Sequence, residues 1–280
     1  MTFSILMSIY YKEVPEYLNQ CLESLAIQTF PATEIVIVKD GLLGEELQNI
    51  LSKWQDKLPL KIVGYEENKG LAYALNYGLQ FCSHDLIARM DSDDICMPNR
   101  FEKQIKYFSE NKYTVILGSN ILEFYENNTR YYIREKNYPV VINNKTISLY
   151  KGSPVAHPTV VIKKEILEKY KYNINVSSNE DIDLWFRLIL DGYSIENINE
   201  PLLKYRFTDK TFQRRNYKKS FNEFIVYWKY LIKLFGFSIM LIYPLFRFIF
   251  RFLPAFCVKQ IYFNRNNFFR KKIYFKEYNS

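Results

Sequence analysis

The stretch Leu86-Ile87-Ala88-Arg89-Met90-Asp91-Ser92-Asp93-Asp94 decides how this chain reads. An apolar run of strand character stops abruptly at three carboxylates within four residues. Carboxylates this close repel one another unless a cation or hydrogen-bond donors offset their charge. The carboxyl end of a strand is also where an open α/β sheet holds its ligand. A hard metal and a phosphate-bearing ligand are therefore expected at this point.

The sequence upstream fits such a sheet. Ile5, Leu6, Met7, Ser8 and Ile9 read as a first buried strand ending in Tyr10-Tyr11-Lys12-Glu13. Pro15 suits a first helical position, and Leu18, Cys21, Leu22 and Leu25 then recur every three to four residues, which predicts a helix to about residue 28. Glu34-Ile35-Val36-Ile37-Val38 is a second strand stopping at Lys39-Asp40-Gly41, and a helix is expected over residues 43–57. A third strand, Lys61-Ile62-Val63-Gly64-Tyr65, leads through Asn68-Lys69-Gly70 into a helix carrying Ala72, Leu75, Asn76 and Leu79. Downstream, Met97-Pro98-Asn99-Arg100 opens a helix to about residue 111, and Val115-Ile116-Leu117-Gly118 starts another strand. Residues 123–142 read as hairpins and loops, Val160-Val161-Ile162 as a strand, and residues 181–191 as a helix burying Leu184, Trp185, Leu188 and Ile189. Strands alternating with helices predict a mostly parallel sheet covered on both faces.

The net charge of +8 hides a division. Residues 211–280 hold 14 Lys and Arg against Glu223 and Glu277, a balance of +12; +8 for the whole less +12 for this tail leaves −4 for residues 1–210. The basic character is local, which argues against nucleic acid and for an anionic surface met by the tail. Two regions follow, a catalytic domain over 1–210 and a helical, aromatic and basic membrane-associating tail over 211–280. The tail's longest uncharged run, residues 234–246, contains Gly236 and Pro244 and falls short of the roughly 20 apolar residues a spanning helix needs. An interfacial helix on anionic lipid is the expectation. Cys21, Cys82, Cys96 and Cys257 form no metal-type spacing, so a reduced environment is expected, and Met1-Thr2-Phe3-Ser4 lacks the basic start of a signal peptide.

Four polar clusters end successive predicted strands: residues 10–13, Asp40-Gly41, residues 68–70 and residues 91–94. Taken alone, Asp40-Gly41 is an ordinary turn, Asn68-Lys69-Gly70 a helix entrance, and the acidic run a solvated loop. At successive strand ends of one sheet they converge on a single crevice, which suits a nucleotide. Asp40 could accept hydrogen bonds from a base or ribose, and Gly41 and Gly70 would let backbone approach the ligand.

In order, Ser8-Ile9-Tyr10-Tyr11, Gln28-Thr29, Asp40-Gly41, Asn68-Lys69-Gly70-Leu71-Ala72, Ala74-Leu75-Asn76 and Arg89-Met90-Asp91-Ser92-Asp93-Asp94 with Arg100 resemble family 2 glycosyltransferases of the GT-A fold. Pro154-Val155-Ala156-His157-Pro158-Thr159-Val160, Glu180-Asp181-Ile182-Asp183-Leu184-Trp185-Phe186-Arg187, Asn197-Ile198, Pro201-Leu202-Leu203 and Tyr205-Arg206 extend the likeness over about residues 3–207. The wording is similar to bacterial enzymes of O-antigen (lipopolysaccharide) and capsule assembly.

The resemblance implies a mixed, mostly parallel Rossmann-like sheet and a set of roles. Tyr10 and Glu13 line the base pocket, Asp40 contacts uracil, and Asn68, Gly70, Arg89 and Ser92 belong to the nucleotide-sugar site. Asp91 meets the ribose in a DXD motif whose last member, Asp93, ligates Mn²⁺ or Mg²⁺, while Asp94 supports the loop or caps the next helix. Asp181 is the general base of an inverting transfer, with Glu180, His157 and Arg206 near the acceptor or diphosphate. Outside the resemblance, a Glu180-Asp181 pair only decorates a helix's first turn. The implied reaction moves a hexose, galactose or glucose, from a UDP-sugar to a polyprenyl-diphosphate-linked sugar at the cytoplasmic membrane face. Gln213-Arg214-Arg215-Asn216 matches the Gln-x-x-Arg-Trp motif of processive synthases only loosely, which speaks against processivity. Two other readings stay open: a transferase acting on a protein or soluble glycan with the tail as an oligomerisation module, and a nucleotide-sugar or lipid binder without turnover.

Overall fold

A computed structural model describes residues 1–127, 130–146, 149, 152–176, 179–208 and 217–250. Four strands form its first half: β1 (Ser4–Ile9), β2 (Glu34–Asp40), β3 (Leu60–Tyr65) and β4 (Leu86–Arg89). They run parallel in the order β3-β2-β1-β4. Between them lie the helices α1 (Pro15–Ala26), α2 (Glu45–Gln55) and α3 (Leu71–Leu79). Side chains alternate faces along each strand. Ile5, Met7, Ile9, Ile35 and Ile37 meet Leu18, Leu22 and Leu47 on one face. Leu6, Val36 and Val38 meet Leu75 and Leu79 on the other. With both faces covered, these strands read as continuous apolar runs, which is why the sequence exposed them.

Beyond β4 the parallel order stops. The short strand β5 (Ile95–Cys96) precedes α4 (Arg100–Glu110), and β6 (Ile116–Asn127) turns back through β7 (Arg130–Lys136). After β8 (Val141–Ile142), β9 (Val161–Lys163) inserts antiparallel between β4 and β6. Then come α5 (Lys164–Tyr170), α6 (Glu180–Leu190) and β10 (Ile195–Phe207), which runs parallel to β6 and antiparallel to β5. The sheet is therefore mixed, and the mostly parallel arrangement expected from the sequence holds only for β3-β2-β1-β4 and for β6-β10. The long β10 escaped notice because Pro201 and its polar neighbours break the apolar pattern, and its register shifts on both sides of that proline.

The expected tail also departs from expectation. The boundary at 210/211 and the residues 213–216 fall outside the described residues. The helix after them, α7 (Tyr217–Phe235), buries Val226, Tyr227, Tyr230 and Leu231 in the same core as Trp185, Leu188 and Ile189 of α6. Phe186 stacks on Tyr230 at 5.2 Å and meets Tyr227 edge-on at 5.4 Å. The Tyr230 hydroxyl donates to Asp183 Oδ1 over 2.6 Å, and Arg187 Nε donates to Asp183 Oδ2 over 2.8 Å. This part of the tail is thus core, not an interfacial helix. The following α8 (Ile242–Phe250) turns Ile242, Leu245, Phe246 and Ile249 outwards, next to Phe237 (88% exposed) and Ile239 (81%). No helix among the described residues is long and apolar enough to cross a membrane.

Candidate active site

The carboxyl ends of β1, β2 and β4 open onto one cleft of about 740 Å³, lined among others by Ser8, Tyr10, Glu13, Asp40, Asn68, Gly70, Asp91, Ser92, Asp93, Glu180 and Tyr205. The four strand-end clusters expected to converge do so. Gly41 and Gly70 adopt φ of 92° and 87°, conformations glycine takes without steric cost. At Gly41 an added Cβ would stand 2.9 Å from the Asn68 backbone nitrogen, so this glycine lets two loops touch.

Asp40 lines the cleft and is also bonded by the chain itself. Its Oδ1 accepts from Lys69 N (2.7 Å) and the Tyr65 hydroxyl (2.9 Å), and its Oδ2 from Asn68 Nδ2 and Gly70 N (3.0 Å each). A carboxylate offers about four lone-pair sites, and these donors fill them. Asp40 thus fastens the loop that enters α3. Asp40→Asn would turn an amide N–H towards backbone donors, at a cost of about 1.5–3 kcal/mol for each charge-assisted bond lost. We expect this variant to unfold at a clearly lower temperature than the wild type in a thermal melt, with UDP affinity falling alongside. An unchanged midpoint with lost UDP binding would restore the ligand role.

The acidic loop is held from two sides. Arg89, buried under it, pairs with the Asp91 carboxylate and donates to the Met90 carbonyl. Burial alone would lower the Arg89 pKa, and the adjacent Asp91 charge more than reverses this. Arg206 braces the loop from beneath. Its backbone N donates to Asp94 Oδ1 (2.8 Å), its Nε to the Asp93 carbonyl (2.7 Å) and its Nη2 to Gln20 Oε1 (2.5 Å). Its guanidinium lies 4.0 Å and 4.6 Å from the ring centres of Tyr17 and Phe124. Only 5% exposed, Arg206 is not positioned for the acceptor or diphosphate contact expected of it; it fixes the loop. Arg100 likewise buries its guanidinium to donate to the Arg89 carbonyl at 2.8 Å.

Asp94 does not cap α4; it is wholly buried, and its Oδ2 has no hydrogen-bond partner among the described residues. Burial first, then the charges of Asp93 and Asp91, push its pKa well above the carboxylate range. Excess negative charge thus faces the cleft from Asp91 and Asp93, which fits a hard divalent cation. No cluster of three or more His, Cys, Asp or Glu residues is arranged to hold a metal among the described residues. Two carboxylates would leave the other coordination positions to phosphate oxygens, the usual arrangement for Mg²⁺.

Across the cleft, α6 presents Glu180, with Asp181 next to it in the same first turn, after Asn179 at a left-handed φ of 67°. Asp181 is half-buried. Burial and then the Glu180 charge raise its pKa to about 7, against the pull of the Ile182 and Asp181 backbone N–H groups. A base poised near neutrality is what proton abstraction from an alcohol needs. His157 lies on a short 3₁₀ turn with Nε2 2.9 Å from the Tyr172 hydroxyl and its ring 6.0 Å from Trp185. Burial, aided by Arg89, lowers its pKa well below the usual value, so the imidazole is neutral. Tyr172 went unnoticed in the sequence, as did Tyr73, Ile174 and Val176 of the cleft wall; Tyr73 sits in the first turn of α3, and single residues in the loop before α6 carry no pattern.

Comparison with known proteins fits this geometry. Residues 4–171 match the family described as "Glycosyl transferase family 2". The chain belongs to glycosyltransferase family 2. This glycosyltransferase is 41% identical over 222 residues to the amylovoran biosynthesis glycosyltransferase AmsE of Erwinia amylovora, covering 78% of this chain and 82% of that one. It is 37% identical over 215 residues to an Escherichia coli UDP-Gal:alpha-D-GlcNAc-diphosphoundecaprenol beta-1,3-galactosyltransferase, covering 76% and 77%. Its fold resembles the GT-A structure of S. aureus TarS 1-349 in complex with UDP-GlcNAc, with a TM-score of 0.63, 18% identity and coverage of 90% and 81%.

Proposed function

We propose that this glycosyltransferase moves a hexose from a UDP-sugar to a sugar on a polyprenyl diphosphate, with inversion, in assembly of an O-antigen or capsule repeat unit. The observation that carries the reading is the division of the cleft: Asp91 and Asp93 on one wall, and on the other Glu180 at the start of α6, next to Asp181, whose pKa is raised to about 7. Asp181 takes the proton of an acceptor hydroxyl as that oxygen bonds to the anomeric carbon, and the bond from that carbon to the UDP oxygen breaks on the opposite face. A divalent cation, Mn²⁺ or Mg²⁺, held by Asp93 with Asp91, would offset charge on the departing diphosphate. Arg89 orients Asp91 from below, and Arg206 holds the Asp93 carbonyl in place. Tyr10 and Glu13, lining the cleft at the end of β1, are placed to flank the nucleoside.

The lipid-linked acceptor, with galactose or glucose as the donor sugar, is supported by the kinship with the E. coli galactosyltransferase and with AmsE. The apolar outer face of α8 supports peripheral attachment at the cytoplasmic side of the inner membrane. Purified full-length protein, incubated with Mn²⁺ or Mg²⁺, a panel of UDP-sugars and a GlcNAc-diphosphate-alkyl acceptor, is expected to form a disaccharide from one UDP-hexose and none in EDTA. Product formed equally well in EDTA would remove the metal from the reading, and no product from any UDP-sugar would remove the donor class.

A further inference from the structure

The wall that carries Glu180 also holds two aliphatic side chains for which the transfer chemistry has no use. Ile174 and Val176 line the cleft in the segment that runs from α5 into α6. Val176 is half-buried and packs on the core shared by α3 and α6, but Ile174 is 59% exposed. One exposed isoleucine on a protein surface is ordinary. This one stands inside a cleft of about 740 Å³, shortly before Glu180 in the chain, and its backbone is held from several sides.

Residues 173–176 form a turn in which Val176 N donates to the Asn173 carbonyl (3.1 Å) and Asn175 N to Asn173 Oδ1 (3.0 Å). An asparagine that accepts from backbone two residues on stabilises such a turn. Ahead of it, Tyr172 is bonded in both directions to the Asn76 side chain of α3, and its hydroxyl meets His157 Nε2. Before that, Arg187 of α6 donates from Nη1 to the Tyr170 carbonyl (2.6 Å) and from Nη2 to the Lys171 carbonyl (2.7 Å). The turn is thus fastened to α3 and to α6, and it presents Ile174 to the cleft from a fixed place. A group held in position before its ligand arrives has little freedom left to lose, which favours recognition of one small substituent.

The chemistry narrows the occupant. Ile174 and Val176 offer only carbon, and a sugar hydroxyl pressed against carbon loses its water without gaining a hydrogen bond. A methyl group gains by the same contact. The acceptor hydroxyl must reach Asp181, on the wall to which this turn belongs, whereas the donor's diphosphate belongs to the acidic loop opposite. The ring that lies over the turn is therefore the acceptor's.

We propose that Ile174, backed by Val176, is a specificity-determining contact for the acceptor sugar, packing on the methyl of an acetamido group carried by its ring. The proposal rests on the reading that Asp181 activates the hydroxyl of a sugar acceptor.

The test uses the full chain. Saturated with UDP and Mg²⁺, it is titrated calorimetrically with GlcNAc-diphosphate-alkyl and with Glc-diphosphate-alkyl, and both are then compared as acceptors in transfer from the UDP-hexose. The wild type is expected to bind the acetamido compound about tenfold more tightly, the lower end of what one apolar group in a pocket supplies. Ile174→Ser should bring the two within about twofold by weakening the acetamido compound alone, and Ile174→Val should keep most of the preference. In transfer, the KM of the acetamido acceptor should carry the change. Because Ile174 is exposed, the melting temperature should stay that of the wild type. A preference unchanged by Ile174→Ser, or none in the wild type, would overturn the proposal. So would a rise in the KM of the UDP-hexose in place of the acceptor's, which would give Ile174 to the donor sugar. Transfer without an Ile174-dependent preference sinks this contact alone, and Ile174-dependent binding without transfer sinks the transferase reading alone. Binding of neither compound by the wild type would remove the contact together with the acceptor class.

Discussion

Asp181→Asn is expected to reduce sugar transfer by about 10²–10⁴-fold, the usual worth of a positioned general base, while leaving UDP affinity near that of the wild type. The wild-type kcat/KM should rise about tenfold per pH unit below pH 7 and level off above it, because the deprotonated form of a group with a pKa of about 7 does the work. Stability should move the opposite way. The folded-state pKa lies above the ordinary carboxylate value of about 4, so the native protein binds the extra proton between about pH 4 and 7. The stability this gives is complete below that window and is lost as pH rises through it. At pH 8 the wild type holds an ionised, half-buried carboxylate beside Glu180, and Asp181→Asn removes it. The variant should therefore melt at the same or a higher temperature at pH 8. A rate within threefold of wild type would assign the base elsewhere; a melting point several degrees lower would mean that Asp181 is structural.

A chain ending at residue 208 should fail to fold on its own. Val226, Tyr227, Tyr230 and Leu231 are each buried in the core shared with α6. At about 1.5–3 kcal/mol per large apolar side chain, their removal costs about 6–12 kcal/mol. That is comparable to the whole stability of a typical domain, about 5–15 kcal/mol. The cut also strips Asp183 of its Tyr230 donor and uncovers Phe186 and Trp185. Expression as inclusion bodies, or a soluble product without a cooperative melt, is the expected outcome; a cooperative transition at the full-length temperature would show that α7 is dispensable. Membrane attachment is therefore better probed in the intact chain, by Ile242→Glu with Phe246→Glu in vesicle flotation, since both side chains face outward.

What the sequence disclosed follows from how much each residue's environment repeats. β1, β2 and β4 are buried on both faces, so their composition announces them, and the polar residues at their ends stand out by contrast. The convergence of Tyr10, Asp40, Asn68 and Asp91 on one cleft could thus be anticipated from topology. Roles inside the cleft were less legible. Asp40 and Arg206 have the right types for ligand contacts, but whether a carboxylate or guanidinium keeps free capacity depends on partners 25 to 30 and 112 to 186 residues away in sequence. The second half, with Pro201 in β10 and antiparallel β9 between β4 and β6, lacks the repeating period that makes strands visible. The aromatic, basic composition of the tail concealed that Tyr227 and Tyr230 face inward.

One pair of hydrogen bonds has a bearing on protein recombination. The Asn76 side chain donates to the Tyr172 carbonyl over 2.8 Å and accepts from the Tyr172 backbone N–H over 2.9 Å. This two-way stitch ties α3, in the nucleotide half, to the residue that directly follows the segment shared across the family. A crossover between residues 171 and 172, the natural junction for grafting one relative's acceptor half onto another's donor half, cuts through it. Hybrids joined there inherit a sound seam only when the donor parent brings an asparagine at position 76, so compatibility between parents is set by a residue almost a hundred positions from the join.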